Sequence, residues 1–282
     1  MTDAFGKIIK SEARYFKSNE LRKQRIGEQK TNIQGESMKI IEYRNSCDID
    51  IMFMDTKNII RHQSYSNFKN CSIIDHYLPT VFGVGIVGKE LIYDEYSILN
   101  SYLSWSWMLK RCYHEDALQK TPSYKKCSVS EEWKYYKNYK KWYDEHFYKC
   151  GTEKMVLDKD ILYKNNKIYC PQKCIFVPER INILFTKTDK NRGKYPIGVY
   201  YKKKNKKFAA HISKIINNKD TKKRKQQQYL GLYDTPEEAF MVYKIEKEKY
   251  IKEIADMYKV KYENFPKDLY DALYNYEVEI TD

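Results

Sequence analysis

From residue 38 onward, apolar and polar positions alternate in short runs. MKIIEY (38–43), DIDIMFM (48–54) and NIIRHQSYSNF (58–68) carry the period of two that predicts strands, with RNSC and DTK as turn material between them. Three or four such strands suggest a small curled sheet or SH3-like barrel. The period then lengthens. SILNSYLSWSWMLKRCY (97–113) reads as a helix that turns Leu103, Trp107, Leu109 and Tyr113 toward a core. SEEWKYYKNYKKWYDEHFY (130–148) reads as a second helix, capped by Ser130, with Trp133, Tyr136, Tyr139, Tyr143 and Phe147 as its buried stripe. A compact, turn-rich stretch follows (156–185), punctuated by Pro171 and Pro178.

The last part of the chain is the most clearly patterned. YPIGVYYKKKNKKFAAHISKI predicts two strands joined around Lys204-Asn205-Lys206, and QQQYLGLYDT predicts a third. TPEEAFMVYKIEKEKYIKEIADMYK predicts a long helix, with Thr235 as N-cap, Pro236 at the first position and Glu238 completing a capping box. Ala239, Tyr243, Tyr250, Ile254 and Met257 form its expected buried stripe. On the middle of these strands, alternation turns Phe208, Ala210 and Ile212 toward the helix and His211 and Ser213 away from it. Tyr200 and Lys202 on the first strand and Gln227 and Tyr229 on the third are expected on the same outward face.

Charge sharpens this picture. The chain carries a net +14, yet the window from Lys187 to Leu232 holds fifteen Lys or Arg against Asp189 and Asp220, or +13. The remainder is nearly neutral. Lysine outnumbers arginine 43 to 9 and Asn, Ile and Tyr are abundant, a usage that AT-rich codons favour, so composition alone offers a bland source for part of the basicity. Concentrated around one predicted sheet, the charge points instead to nucleic acid. A sheet of this width enters the DNA major groove, its face reading base edges while lysines and arginines neutralise phosphates.

No apolar run reaches the roughly 18–20 residues that cross a bilayer, and no signal peptide is read at the start, so a soluble cytoplasmic protein without a membrane partner is expected. Seven cysteines without regular spacing suit a reducing compartment. Gly83, Gly85 and Gly88 in VFGVGIVG lack the Lys-Ser/Thr ending of a phosphate loop. The expected organisation is α+β: a helical basic leader (1–34), a small β module (35–92), a middle region (93–186), a three-stranded antiparallel sheet packed on one long helix (187–264) and an acidic tail (265–282).

Two resemblances follow from these residues. IGVYYKKKNKKFAAHI and YLGLYDTPEEAFMVY resemble the plant ethylene-response-factor (APETALA-type) DNA-binding domain over about 60 residues, with its Gly-Val strand, Ala-Ala strand, Leu-Gly-Tyr strand and Thr-x-Glu-Glu-Ala helix. The resemblance implies double-stranded DNA as partner. Family contacts would fall on Tyr200, Lys202, His211, Ser213, Gln227 and Tyr229, flanked by Lys203, Lys204, Lys207, Lys222, Lys223, Arg224 and Lys225. Several Arg and Trp readers of the plant domains are missing, so the plant target site is not implied.

The middle region is similar to phage HNH homing endonucleases over about 85 residues, through Trp105-x-x-Met108-x-x-Arg111-Cys112, Val129-x-x-x-Trp133, Leu157-Asp158-Lys159-Asp160 and a later Asn182. That resemblance implies a ββα-metal fold holding Mg or Mn, with Asp158 as first and Asn182 as last metal ligand, both catalytic residues of an active enzyme, and Asp160 as a further metal carboxylate. Lys159 stands where the family places its general-base histidine, and an ammonium accepts no proton at neutral pH. Cys112, Cys127, Cys170 and Cys174 lack paired C-x-x-C knuckles, so structural zinc is not expected. The expected function is therefore a phage-type DNA binder with a degenerate HNH-like module, acting in the host cytoplasm. A metal-dependent endonuclease and a protein-directed inhibitor of host defence are the alternatives.

Overall fold

The computed structural model describes Lys17 and residues 19–89, 92–94, 97–186, 194–216 and 224–280, without the side chains at 94, 97, 216, 224 and 225. It is α+β and divides into two compact units, 1–97 with 134–137, and 98–133 with 138–282. No helix among the described residues is long and apolar enough to cross a membrane.

The first unit is built on an antiparallel meander: β1 (Gln29–Thr31), β2 (Ser37–Asn45), β3 (Asp48–Phe53) and β4 (Ile59–Gln63), in that order, then a short helix α1 (Tyr65–Lys69) capped by Ser64. Alternation works as expected: Met38, Ile40, Ile49, Ile51, Phe53 and Phe68 make one buried cluster. Two expectations change. The sheet begins at Gln29, inside the stretch read as a leader, because Gln29–Thr31 pairs with Ser37–Lys39 across a turn at Gly35. It is also an open sheet with β1 and β4 at its edges, not a closed SH3-like barrel.

In the second unit, helix α2 (Asn100–Tyr113) buries Ser101, Trp105, Met108, Leu109 and Cys112. The expected stripe is corrected: Leu103 and Trp107 face outward, at 39% and 59% exposure. Helix α2 carries apolar residues on two faces, and the face rich in Trp105, Met108 and Cys112 takes the core. The second predicted helix is two, α3 (Glu131–Lys134) and α4 (Tyr136–His146), broken at Tyr135, which bridges to Ile86. Trp133, Tyr136, Tyr139 and Tyr143 are buried as expected, joined by Trp142. Ser130 does not cap with its hydroxyl, which has no hydrogen-bond partner; its carbonyl takes the Trp133 N–H instead.

Strand β5 (Met155–Asp158) pairs antiparallel with β6 (Ile175–Pro178), which passes directly into the one-turn helix α5 (Glu179–Asn182). The C-terminal strands β7 (Val199–Lys202), β8 (Lys207–Ile216) and β9 (Arg224–Tyr233) form an antiparallel sheet in chain order on the long helix α6 (Pro236–Lys261). The capping box is complete: Thr235 accepts the Glu238 N–H, and the Glu238 carboxylate accepts the Thr235 N–H. Met257 is not part of the buried stripe, which passes through Ile254, Ala255 and Tyr258.

Two boundaries are also corrected. Residues 265–282 are not simply an acidic tail: helix α7 (Lys267–Tyr274) brings Phe265, Leu269, Leu273 and Val278 into the core against α6. That same core contains Cys150, Ile161, Val177, Ile181 and Leu184 from the middle region together with Ile212, Phe240 and Tyr243. The boundary expected at 186/187 thus cuts through shared hydrophobic packing.

Candidate nucleic-acid interface

The face opposite α6 is set by register. Tyr200 pairs with Ala209, His211 with Tyr229 and Ser213 with Gln227. A bulge at Leu230, where the register passes from Ala210/Gly231 to His211/Tyr229, shifts β9 by one residue and brings Tyr229 level with His211. Without that residue the ring of Tyr229 would lie on the helix side.

Two glycines permit the packing beneath. Gly198 has φ +78°, and a Cβ there would come within 2.2 Å of the Tyr243 ring, so the chain enters β7 pressed against α6. Gly231, at φ +135°, admits the Tyr233 hydroxyl, which donates to the Leu230 carbonyl at 3.0 Å.

Tyr200, His211 and Tyr229 form a row across three strands. The Tyr200 hydroxyl and His211 Nε2 share a hydrogen bond of 2.8 Å, and the His211 ring meets Tyr229 edge-on at 5.2 Å between centroids. Lys202 Nζ sits 5.8 Å from the Tyr229 ring centre. Burial, and then the nearby Lys202 charge, hold the His211 imidazole below the ordinary histidine value, which favours its neutral form. The row therefore offers exchangeable donors and acceptors, with Ser213 and Gln227 exposed one step further along. Such groups suit base edges; cations beside them suit phosphates.

The cations are distributed unevenly. Lys203 and Lys204 are exposed in the β7–β8 turn, and Lys206 takes φ +55° there. Lys207 is paired with Asp234 at 3.0 Å, so its charge is already partly answered. Lys214 lies on the helix side, bonded to Glu246 at 2.6 Å. Arg224 and Lys225 are on β9, but their side chains, like all of Lys222 and Lys223, lie outside the described residues.

The middle region positions its expected residues differently. Asp158 ends β5 nearly buried, and its Oδ1 accepts the N–H groups of Asp160 and Ile161 at 2.8 and 2.7 Å. It holds a turn. Burial, followed by the charge of Asp160, pushes its carboxyl up to about 6. Lys159 is also buried, its Nζ donating to Asp160 Oδ2 at 2.7 Å and lying 5.6 and 5.8 Å from the rings of Tyr124 and Tyr169. Burial opposes that charge, but the bond and attraction of Asp160 outweigh it and hold the ammonium above the usual lysine range. Asn182 closes α5, its carbonyl accepting from Phe185 N–H and the Thr186 hydroxyl.

This donor set does not fit a catalytic Mg or Mn. One Asp158 oxygen is spent on the turn, the Asp160 carboxylate already holds an ammonium, and the residue between them is that same Lys159 cation. Cys112, Cys127, Cys170 and Cys174 are buried free thiols that do not gather into a group of three or more metal-ligand atoms. Burial pushes the Cys112 thiol up to about 12.

Among the described residues, one set of His, Cys and carboxylate ligand atoms comes together closely enough for a metal, Asp48, Asp50 and His62 in the first unit. Arginines occupy it already. Arg44 donates to Asp48 at 2.7 and 2.8 Å and also to Asp50, and Arg61 donates to Asp50 at 3.0 Å. The Arg44 bond lowers Asp48 to about 2. Sequence reading missed this ion-pair network because its members come from three strands.

Comparison with protein-family models, curated proteins and solved structures finds no match to this chain.

Proposed function

We propose that the chain binds double-stranded DNA through the outer face of the C-terminal sheet, and that the middle region is a non-catalytic, HNH-like structural module. The observation that carries the reading is the Tyr200–His211–Tyr229 row beside Lys202, a polar and aromatic strip on the most basic stretch of the chain. Phosphates neutralised by Lys202, Lys203, Lys204 and the β9 basic segment would place the strip over base edges. The APETALA-type resemblance points to the same residues.

The strand–strand–helix order of β5, β6 and α5 favours an endonuclease as second reading. Against turnover stands Lys159, a cation bonded to Asp160 where a base is required. The two readings part in one experiment with the full chain. Fluorescence anisotropy on a labelled AT-rich duplex should show binding that His211→Ala with Tyr229→Ala weakens about tenfold or more, as the loss of one or two base contacts implies. The same duplex with Mg²⁺ or Mn²⁺ should stay intact. Nicking that disappears in Asp158→Ala would replace the binder with the nuclease.

A further inference from the structure

The outward face of α2 does not point into empty solvent. It lines a half-open cavity of about 650 Å³ in the second unit, bounded on the other side by the end of α4, residues 149 and 151–154, and β5. That volume lies within the roughly 300–1,000 Å³ of small-molecule sites. Trp107 and Arg111, one turn apart, project from α2, while Tyr143 and Phe147 supply facing rings. Lys149 stands exposed at the rim.

Arg111 is the decisive residue. It lines the cavity, and its guanidinium lies 6.0 and 5.5 Å from the rings of Tyr124 and Tyr169, with no carboxylate paired to it among the described residues. Glu153, the acid on the cavity wall, accepts the Tyr258 hydroxyl at 2.6 Å. A guanidinium with ring contacts but no carboxylate partner among the described residues, beside an indole that is 59% exposed, suits an anion carrying an aromatic ring. Guanidinium forks match phosphate oxygens, and indole and phenyl faces stack on nucleobases.

We propose that this cavity binds a mononucleotide unit, its base against Trp107 and Phe147 and its phosphate on Arg111 and Lys149. The unit can come from a free nucleotide or from an unpaired nucleotide of a DNA strand. The site is separate from the C-terminal sheet face and does not rest on it.

Trp107 also serves as reporter, since Trp105, Trp133 and Trp142 are buried. Titrating the full chain with dAMP should quench the exposed indole saturably, whereas inorganic phosphate at the same concentrations should not. Arg111→Met should weaken dAMP about tenfold or more, the effect of losing a charge-assisted bond. Should that variant misfold, Lys149→Met, an exposed change, should still weaken binding about threefold. A duplex with an unpaired overhang that competes with dAMP, where a blunt duplex does not, identifies the strand as source; dAMP binding without such competition identifies the free nucleotide. His211→Ala should leave dAMP affinity unchanged, which separates this site from the sheet face. No saturable quench by dAMP or overhang DNA, equal quenching by phosphate, or unchanged affinity in the Arg111 or Lys149 variant would overturn the proposal.

Discussion

The hydroxyl of Tyr200 and Nε2 of His211 lie 2.8 Å apart on neighbouring strands, so a titratable ring is tied into the centre of the proposed DNA face. Burial and then Lys202 disfavour its charged form, which places its midpoint below 6.5. The unfolded chain then takes up this proton first as pH falls. The group's contribution to stability is full above about pH 6.5 and is lost as pH drops through the folded midpoint. An NMR titration should give a His211 midpoint below 6.5 that moves upward in Lys202→Met. A midpoint at or above 6.5 in the wild-type chain would contradict this geometry.

Asp158 behaves in the opposite sense. Its carboxyl is raised to about 6 from 3.8, so the folded chain holds the proton more tightly than the unfolded one. Its favourable contribution is full below about pH 3.8 and is lost as pH rises through about 6. Asp158→Asn, which keeps an acceptor for the two turn N–H groups, should flatten that fall by about 1–3 kcal/mol between pH 4 and 7. Urea denaturation across the pH series measures it. Identical pH profiles for the two chains would show that Asp158 is not a buried turn carboxyl.

Gly198→Ala should be among the most damaging small substitutions. The added methyl meets the Tyr243 ring at 2.2 Å in a backbone region that strains any L side chain. A loss of about 2–4 kcal/mol is expected by denaturant melting, with weaker DNA binding following from displacement of β7. A loss under about 0.5 kcal/mol would mean that β7 is not seated on α6 this way.

Leu273→Ala tests whether residues 265–282 belong to the core. Leu273 is almost fully buried beside α6, so truncation should cost about 2–5 kcal/mol. A dispensable acidic tail would give no measurable change.

Much of this architecture was legible locally. Alternation sorted Phe208, Ala210 and Ile212 from His211 and Ser213, and Thr235-Pro236-x-Glu238 marked the start of α6. Period alone places residues 200, 211 and 229 on the outward face, and they stand together in a row. Helix α2 misled because Leu103 and Trp107 are apolar at core spacing, yet a second apolar face competes with them; periodicity cannot decide which face meets a partner. In residues 265–282 the acidic charge masks an apolar period, Phe265, Leu269 and Leu273 recurring every four residues. The core shared by Val177, Ile181, Tyr243 and Tyr258 depends on contacts distant in sequence, which no local pattern encodes. Lys159 is legible in the sequence as the wrong residue type for a base, and its bond to Asp160 favours its charged form.

The central claim is that phosphates are neutralised around the Tyr200–His211–Tyr229 strip, and the salt dependence of duplex affinity tests it most directly. Each neutralised phosphate lowers the slope of log K against log salt by about 0.9 on B-DNA. With Lys202, Lys203, Lys204 and the β9 basic segment engaged, a slope of about −4 or steeper is expected, and Lys203→Met with Lys204→Met should make it shallower by about 2. Absent binding, or affinity that does not change with salt, would contradict a DNA-binding role for this sheet.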